Sequence, residues 1–169
     1  DIIQNVQHWD SDDEVENYLE RILRREVGDK SGLIYGIGHA IYTLSDPRAV
    51  ELKKQARSLA AKTGYADQFA LYERIERLAP DAFHKVTVNE KVVCANVDFY
   101  SGLVYEMLGI PEDLYTPMFA VSRISGWCAH RIEELTTGGR IIRPAYRALP
   151  TGQTYIPLKD RHYDAKSVL

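Results

Sequence analysis

Cysteine is scarce in this sequence, and the two present, Cys94 and Cys128, stand far apart with no CxxC spacing. That excludes a disulfide frame and a cysteine zinc site, and it reads as reduced thiols packed as small buried hydrophobes. No apolar run approaches the roughly 18 residues of a membrane span, and no secretory signal pattern opens the chain. The expected location is therefore the cytoplasm. A net charge of −3 and a pI near 6.0 leave neither nucleic acid nor an anionic membrane as an indicated partner. Local basic residues can still hold a small anion. Alternating apolar and polar residues are nearly missing: Phe83–Val92, FHKVTVNEKV, is the one candidate hairpin, with Asn89 at its turn. There is no internal repeat or low-complexity tract. No metal-ligand spacing is present, and no serine or cysteine has a base beside it in sequence. What these absences leave is a mainly α-helical protein, long enough at 169 residues to bury roughly 70% of its unfolded surface. The opening, DIIQNVQHWD without methionine, leads us to expect a piece of a longer protein.

Helical signals are plentiful. Ser11 with Glu14 makes a capping box, Val15, Tyr18, Leu19, Ile22 and Leu23 follow at helical spacing, and Gly28 is the expected stop. Gly32–Gly38 should be irregular. Asp46-Pro47 combines an N-cap with a first-turn proline and opens RAVELKKQARSLAAKTG. A further helix is expected over Tyr65–Pro80, then a mostly buried one from Val92 to Ile110, ended by Gly109 and Pro111. Thr116-Pro117 opens another through SRISGWCAHRIEELTTGG. Arg140–Leu169, with three prolines among tyrosines, reads as an extended tail of the kind that embraces a partner subunit.

Four places carry residues suited to chemistry. In YGIGHAIYTLSDPR, Tyr35 to Arg48, glycines at 36 and 38 let the backbone approach a ligand beside the His39 ring. Arg48 follows at a helix start, where amides and the helix dipole also favour an anion. A carboxylate ligand bearing a carbonyl would meet all of these; the bland alternative for His39 is a surface or satisfied core histidine. In NVDFYSG, Asp98 sits in a helix expected to be buried, where desolvation would raise its pKa toward that of a general base. Its alternative is a structural aspartate bonded to a cap or an arginine. Arg123, Trp127, His130 and Glu134 share one face of a helix. Trp127 and His130 are expected to pack; His8, His84 and His162 are expected at the surface. Arg140 and Arg143 open the tail. A base, an imidazole and several arginines suit a small dianionic substrate and proton chemistry beside a carbonyl. Spacing alone goes no further.

GIGHAIYTLSDPR, NVDFYSG, SRISGW and IIRP, in this order and roughly this spacing from Leu33 to Pro144, resemble the citrate synthase family. The resemblance implies a multi-helical fold, with residues 1–116 forming the small domain. Residues 117–169 would be a C-terminal helix and extended tail of the large domain. It implies a transferase of the tricarboxylic acid cycle, joining acetyl-CoA, oxaloacetate and water into citrate and CoA. In that reading His39 polarises the ketone and Asp98 removes the methyl proton. Arg48 and Arg123 clamp carboxylates, and Arg143 reaches the site of the neighbouring subunit in a homodimer. Leu33, Ile34, Tyr35, Gly36, Ile37 and Gly38 lie against the CoA adenine. No metal and no permanently bound cofactor are implied.

Two departures matter. The family's other catalytic histidine lies in an HGG motif upstream, and no HGG occurs here, so the fragment alone is expected to be inactive. Thr43 stands where family members often carry a basic residue for CoA phosphate; Lys53, Lys54 and Arg57 are candidate substitutes. The alternatives are 2-methylcitrate synthase using propionyl-CoA, a citryl-CoA lyase module, and a non-catalytic CoA-binding or dimerisation module.

Overall fold

A computed structural model describes residues 2–87, 92–137 and 156–160. Its helices are α1 (Ile2–Asn5), α2 (Asp12–Leu23), α3 (Pro47–Thr63), α4 (Ala66–Val86), α5 (Val97–Met107) and α6 (Tyr115–Thr137), with 3-10 turns at Glu112–Leu114 and Leu158–Asp160. No strand occurs among the described residues, so the architecture is mainly α, as the sequence implies. The chain divides into two compact units, Asp1–Arg123 and Ile124–Leu169.

The core of the first unit is α2 against α4 and α3 against both α4 and α5. In α2 the apolar stripe buries Val15, Tyr18, Leu19 and Ile22. Ser11 caps it by accepting from the Glu14 N–H at 3.3 Å. The Glu14 carboxylate reaches past the cap, however, accepting from the backbone of Gln7 at 2.6 Å and His8 at 3.2 Å. It thereby ties the preceding loop to the helix. The helix stops at Leu23, short of Gly28, because Arg25 takes a left-handed turn at φ 63°. Only alanines, Ala49, Ala56 and Ala60, are buried along α3, which lets its backbone lie close to its neighbours.

Two expectations fail at the next junction. The hairpin over Phe83–Val92 is not formed: Phe83–Val86 is the last turn of α4, and residues 88–91, Asn89 included, lie outside the described residues. The helix runs through Pro80, although a proline inside a helix costs about 3 kcal/mol. Burial of Leu78, Ala79 and Ala82 and the Lys85–Glu16 ion pair at 2.7 Å hold that turn against α2. Tertiary packing outweighs local β preference. Nor does a helix begin at Val92. Cys94–Asn96 is taken into extended pairing with Gly36–Gly38, and α5 starts only after Asn96, whose side chain accepts from the Asp98 N–H at 3.0 Å.

Phe99, Tyr100, Leu103 and Met107 bury the inner face of α5. The Tyr100 hydroxyl donates to Glu76 at 2.6 Å, which also receives Lys53 at 2.6 Å, so α3, α4 and α5 share one polar knot. By contrast α6 has no buried residue. Trp127, His130 and Cys128 are exposed on it, so the expected packing of these three is not seen. No described helix is long and apolar enough to cross a membrane.

Candidate active site

The site is built where an irregular loop meets the starts of two helices. Gly36 (φ 83°) lies so close to α5 that a Cβ there would come within 2.7 Å of the Phe99 Cα. No other residue fits. The Gly38 N–H donates to the Cys94 carbonyl at 2.7 Å, the Asn96 N–H to the Gly36 carbonyl at 2.8 Å, and the Asn96 side chain to the Gly38 carbonyl at 2.9 Å. These bonds fix the residue that follows, His39.

His39 Nδ1 accepts from the backbone N–H groups of Ile41 at 3.0 Å and Tyr42 at 3.1 Å. In a neutral ring this places the proton on Nε2. That atom lies 3.4 Å from Arg48 Nη2. Two donors side by side are complementary to one shared oxygen acceptor, such as a carbonyl or a carboxylate.

Arg48 is itself held. Its Nε donates to Asp46 Oδ1 at 3.0 Å and its Nη2 to Asp46 Oδ2 at 2.8 Å. The guanidinium also lies over the Tyr42 ring. Asp46 is buried, and the hydrogen-bonded guanidinium is the largest cause holding its carboxyl at about 2. The same pair pushes Arg48 up, with a smaller push from Asp98, whose field reaches the guanidinium. Asp98, in the first turn of α5, is exposed rather than buried as expected. The cap geometry explains it: Asn96 sets the start of the helix so that Phe99 and Tyr100 face inward and the carboxylate does not.

Asp98 and Asn96 line a cavity of about 1080 Å³ together with Leu33, Ile34, Tyr35 and Gly36. Its wall is otherwise largely apolar, from Ile22, Tyr72, Ile75 and Phe99. Tyr35 leans out, its hydroxyl donating to Asp29 at 2.5 Å, a bond that helps hold the Asp29 carboxyl at about 2. Ile37 and Gly38 do not line the cavity; they pair with the strand-like segment before α5. Such a space, apolar with a few convergent polar groups, suits a sizeable organic ligand.

Of the two remaining expected clamps, only Arg123 lies among the described residues. Arg123, on α6, lies over the Phe119 ring at 4.4 Å and makes no hydrogen bond among the described residues. Arg143 lies outside them. Thr43 is exposed, and the three cations proposed in its place are engaged elsewhere. Lys53 pairs with Glu73 and Glu76, Lys54 with Glu51, and Arg57 with Glu73. No group of residues that could hold a metal occurs among those described. In the sequence Asp46 reads as a helix cap, and its place two residues before Arg48 is the signal that it also holds the guanidinium. Asn96 is legible too, since an asparagine two residues before an aspartate is a cap pattern.

This helical unit carries an imidazole, a guanidinium and a carboxylate at or just before the starts of two helices, an arrangement able to meet a carbonyl-bearing anion. Comparison gives the family. The chain belongs to the citrate synthase family, whose C-terminal domain model matches residues 1–145. It is 41% identical over 149 residues to citrate synthase 2 of Bacillus subtilis, covering 88% of this chain and 37% of that protein. With the citrate synthase of Synechocystis sp. it shares 34% over 162 residues, covering 95% of this chain and 38% of that protein. Among solved structures it resembles the ternary complex of carboxymethyl coenzyme A and oxaloacetate with citrate synthase from Thermoplasma acidophilum. The TM-score is 0.64 and identity 28%, over 95% of this chain and 40% of that one. Citrate synthase from Thermotoga maritima gives a TM-score of 0.60 at 30% identity, over 96% of this chain and 41% of that one. The chain thus spans about two fifths of the length of these relatives.

Proposed function

We propose that these residues form the C-terminal part of an enzyme that condenses acetyl-CoA with oxaloacetate and water to give citrate and CoA. The observation that carries this is the His39 Nε2–Arg48 Nη2 pair at 3.4 Å, tied through Asp46 to the start of the helix that bears Asp98, in a chain of this family. Arg48 holds a carboxylate of oxaloacetate and the His39 Nε2–H donates to its ketone oxygen. Both withdraw electrons from the carbon under attack. Asp98 takes a proton from the acetyl methyl group; the resulting enol carbon bonds to the ketone carbon, whose oxygen gains a proton. Water then cleaves the thioester, releasing CoA.

Asp98 is exposed, so it acts when bound acyl-CoA or a covering segment shuts water out of the site. The Leu33–Gly38 loop and the cavity beside it take part of the CoA. Residues 1–116 act as the small domain and 117–169 as part of the large one, with Arg123 supplying a second carboxylate clamp. Arg143 completes the site of a second copy in a homodimer, in the cytoplasm and the tricarboxylic acid cycle. A further catalytic histidine from an HGG motif is needed, so the 169-residue chain alone is expected to show no turnover.

The test is thiol release by the longer chain that contains these residues, with oxaloacetate and either acetyl-CoA or propionyl-CoA. A faster rate with acetyl-CoA supports the reading, and a faster rate with propionyl-CoA names a 2-methylcitrate synthase instead. One methylene is worth roughly 1–3 kcal/mol, enough for the ratio to be clear. No release with either donor contradicts both.

A further inference from the structure

Asp46 is the one charged side chain among the described residues that is buried, at 1% exposure. A buried carboxylate is costly unless every lone pair is used. Here the bonds are complete on both oxygens. Oδ1 accepts from the Arg48 backbone N–H and from Arg48 Nε, each at 3.0 Å. Oδ2 accepts from Arg48 Nη2 at 2.8 Å and from the Val97 N–H at 3.2 Å. Val97 is the first residue of α5, immediately before Asp98. A single carboxylate therefore caps α3, grips the Arg48 guanidinium along one edge, and fastens the start of the helix that carries Asp98.

We propose that Asp46 is a positioning residue for the condensation, aligning the Arg48 anion clamp with the Asp98 base through one buried carboxylate. This rests on the function proposed above. With Nε and one proton of Nη2 engaged, the guanidinium cannot turn about its last bonds, and its Nη1 edge is the one left to meet a ligand carboxylate. The same grip keeps Nη2 beside His39 Nε2, so the shared oxygen seat depends on it. The Val97 bond sets the position of Asp98 relative to that seat, where misplacement by about 1 Å can cost on the order of a hundredfold in rate.

A cap role alone would make the same helix without this coupling, and substitution separates the two. Asp46→Ser keeps a good cap for the Arg48 N–H but is too short to reach the guanidinium side-on. In the longer active chain, with far-UV circular dichroism confirming the fold, it should raise the KM for oxaloacetate roughly tenfold or more and also lower kcat. Unchanged kinetics in a folded variant would reduce Asp46 to a cap and overturn the proposal. A lower KM would overturn it equally, by showing that the buried charge merely repels the dianion. Should Asp46→Ser not fold, Asp46→Asn decides: it fills the same volume and keeps one acceptor oxygen, and the raised KM is still expected because the guanidinium loses its charged partner. Oxaloacetate-dependent thiol release by the unsubstituted chain is the control. Its absence would remove the proposed function, and this inference with it, whereas normal release with indifferent Asp46 variants would remove the inference alone.

Discussion

Helices α5 and α6 both carry motif residues, Asp98 on one and Arg123 on the other, and both are rich in apolar side chains, yet they live in different surroundings. The inner face of α5 is buried, with Tyr100 and Leu103 wholly enclosed, and its first turn is bonded to Asn96 and Asp46. α6 exposes Met118, Phe119, Val121, Ile124 and Trp127 and buries nothing. An apolar pattern states what a helix can bury, while burial itself needs a partner surface, which α3 supplies to α5. A functional side chain gains a fixed direction in the same way. Arg48 has Asp46 to aim it, whereas Arg123 has, among the described residues, only the Phe119 ring.

The contrast can be broken experimentally. Its largest consequence is for the two arginines. Arg48→Ala in the longer active chain should raise the KM for oxaloacetate about tenfold to a hundredfold, as expected for loss of a charged hydrogen bond. An effect no greater than that of a surface substitution would deny the aimed arginine its role. For packing, Leu103→Ala should cost about 3 kcal/mol in urea unfolding of the 169-residue chain, whereas Val121→Ala should stay within about 0.5 kcal/mol. Equal costs would mean that α6 is covered in solution and would erase the distinction. Gly36→Ala should cost about 2 kcal/mol, since it combines a left-handed φ with an overlap on the Phe99 backbone.

A further effect is one of pH. Because the folded state depresses the Asp46 carboxyl to about 2, its stabilisation is complete above the unfolded value of about 3.9 and is lost as pH falls toward 2. Asp46→Asn should flatten that part of the stability curve. Asp12 and Asp29, also near 2 but on the surface, leave a residual slope that the substitution does not remove.

Much of this was legible in the sequence, for reasons that differ residue by residue. Local chemistry writes itself plainly: Ser11 before α2, Asp46-Pro47 before α3 and Gly64 at its end each satisfy backbone groups within a few residues. The pairing of His39 with Arg48 was suggested by glycine-flanked spacing and realised by short-range bonds. What escaped depends on distant contacts. Pro80 reads as a stop, yet α2 holds the turn beyond it. Val92–Ala95 reads as helix, yet Gly36–Gly38 draws its end into a bridge. Asp98 reads as buried because its neighbours are apolar, but the Asn96 cap decides which side of α5 faces inward. Asp46 reads as a cap because its second partner, Val97, stands 51 residues away in sequence.

The proposed role of Asp98, base of a condensation whose electrophile His39 and Arg48 hold, can be read from steady-state thiol release from acetyl-CoA. The comparison is between the longer chain and its Asp98→Asn variant at varied oxaloacetate. The expected result is a fall in kcat of about a hundredfold or more with the KM for oxaloacetate little changed, since the proton transfer is lost and the anion clamp is intact. A variant that keeps its kcat would contradict it.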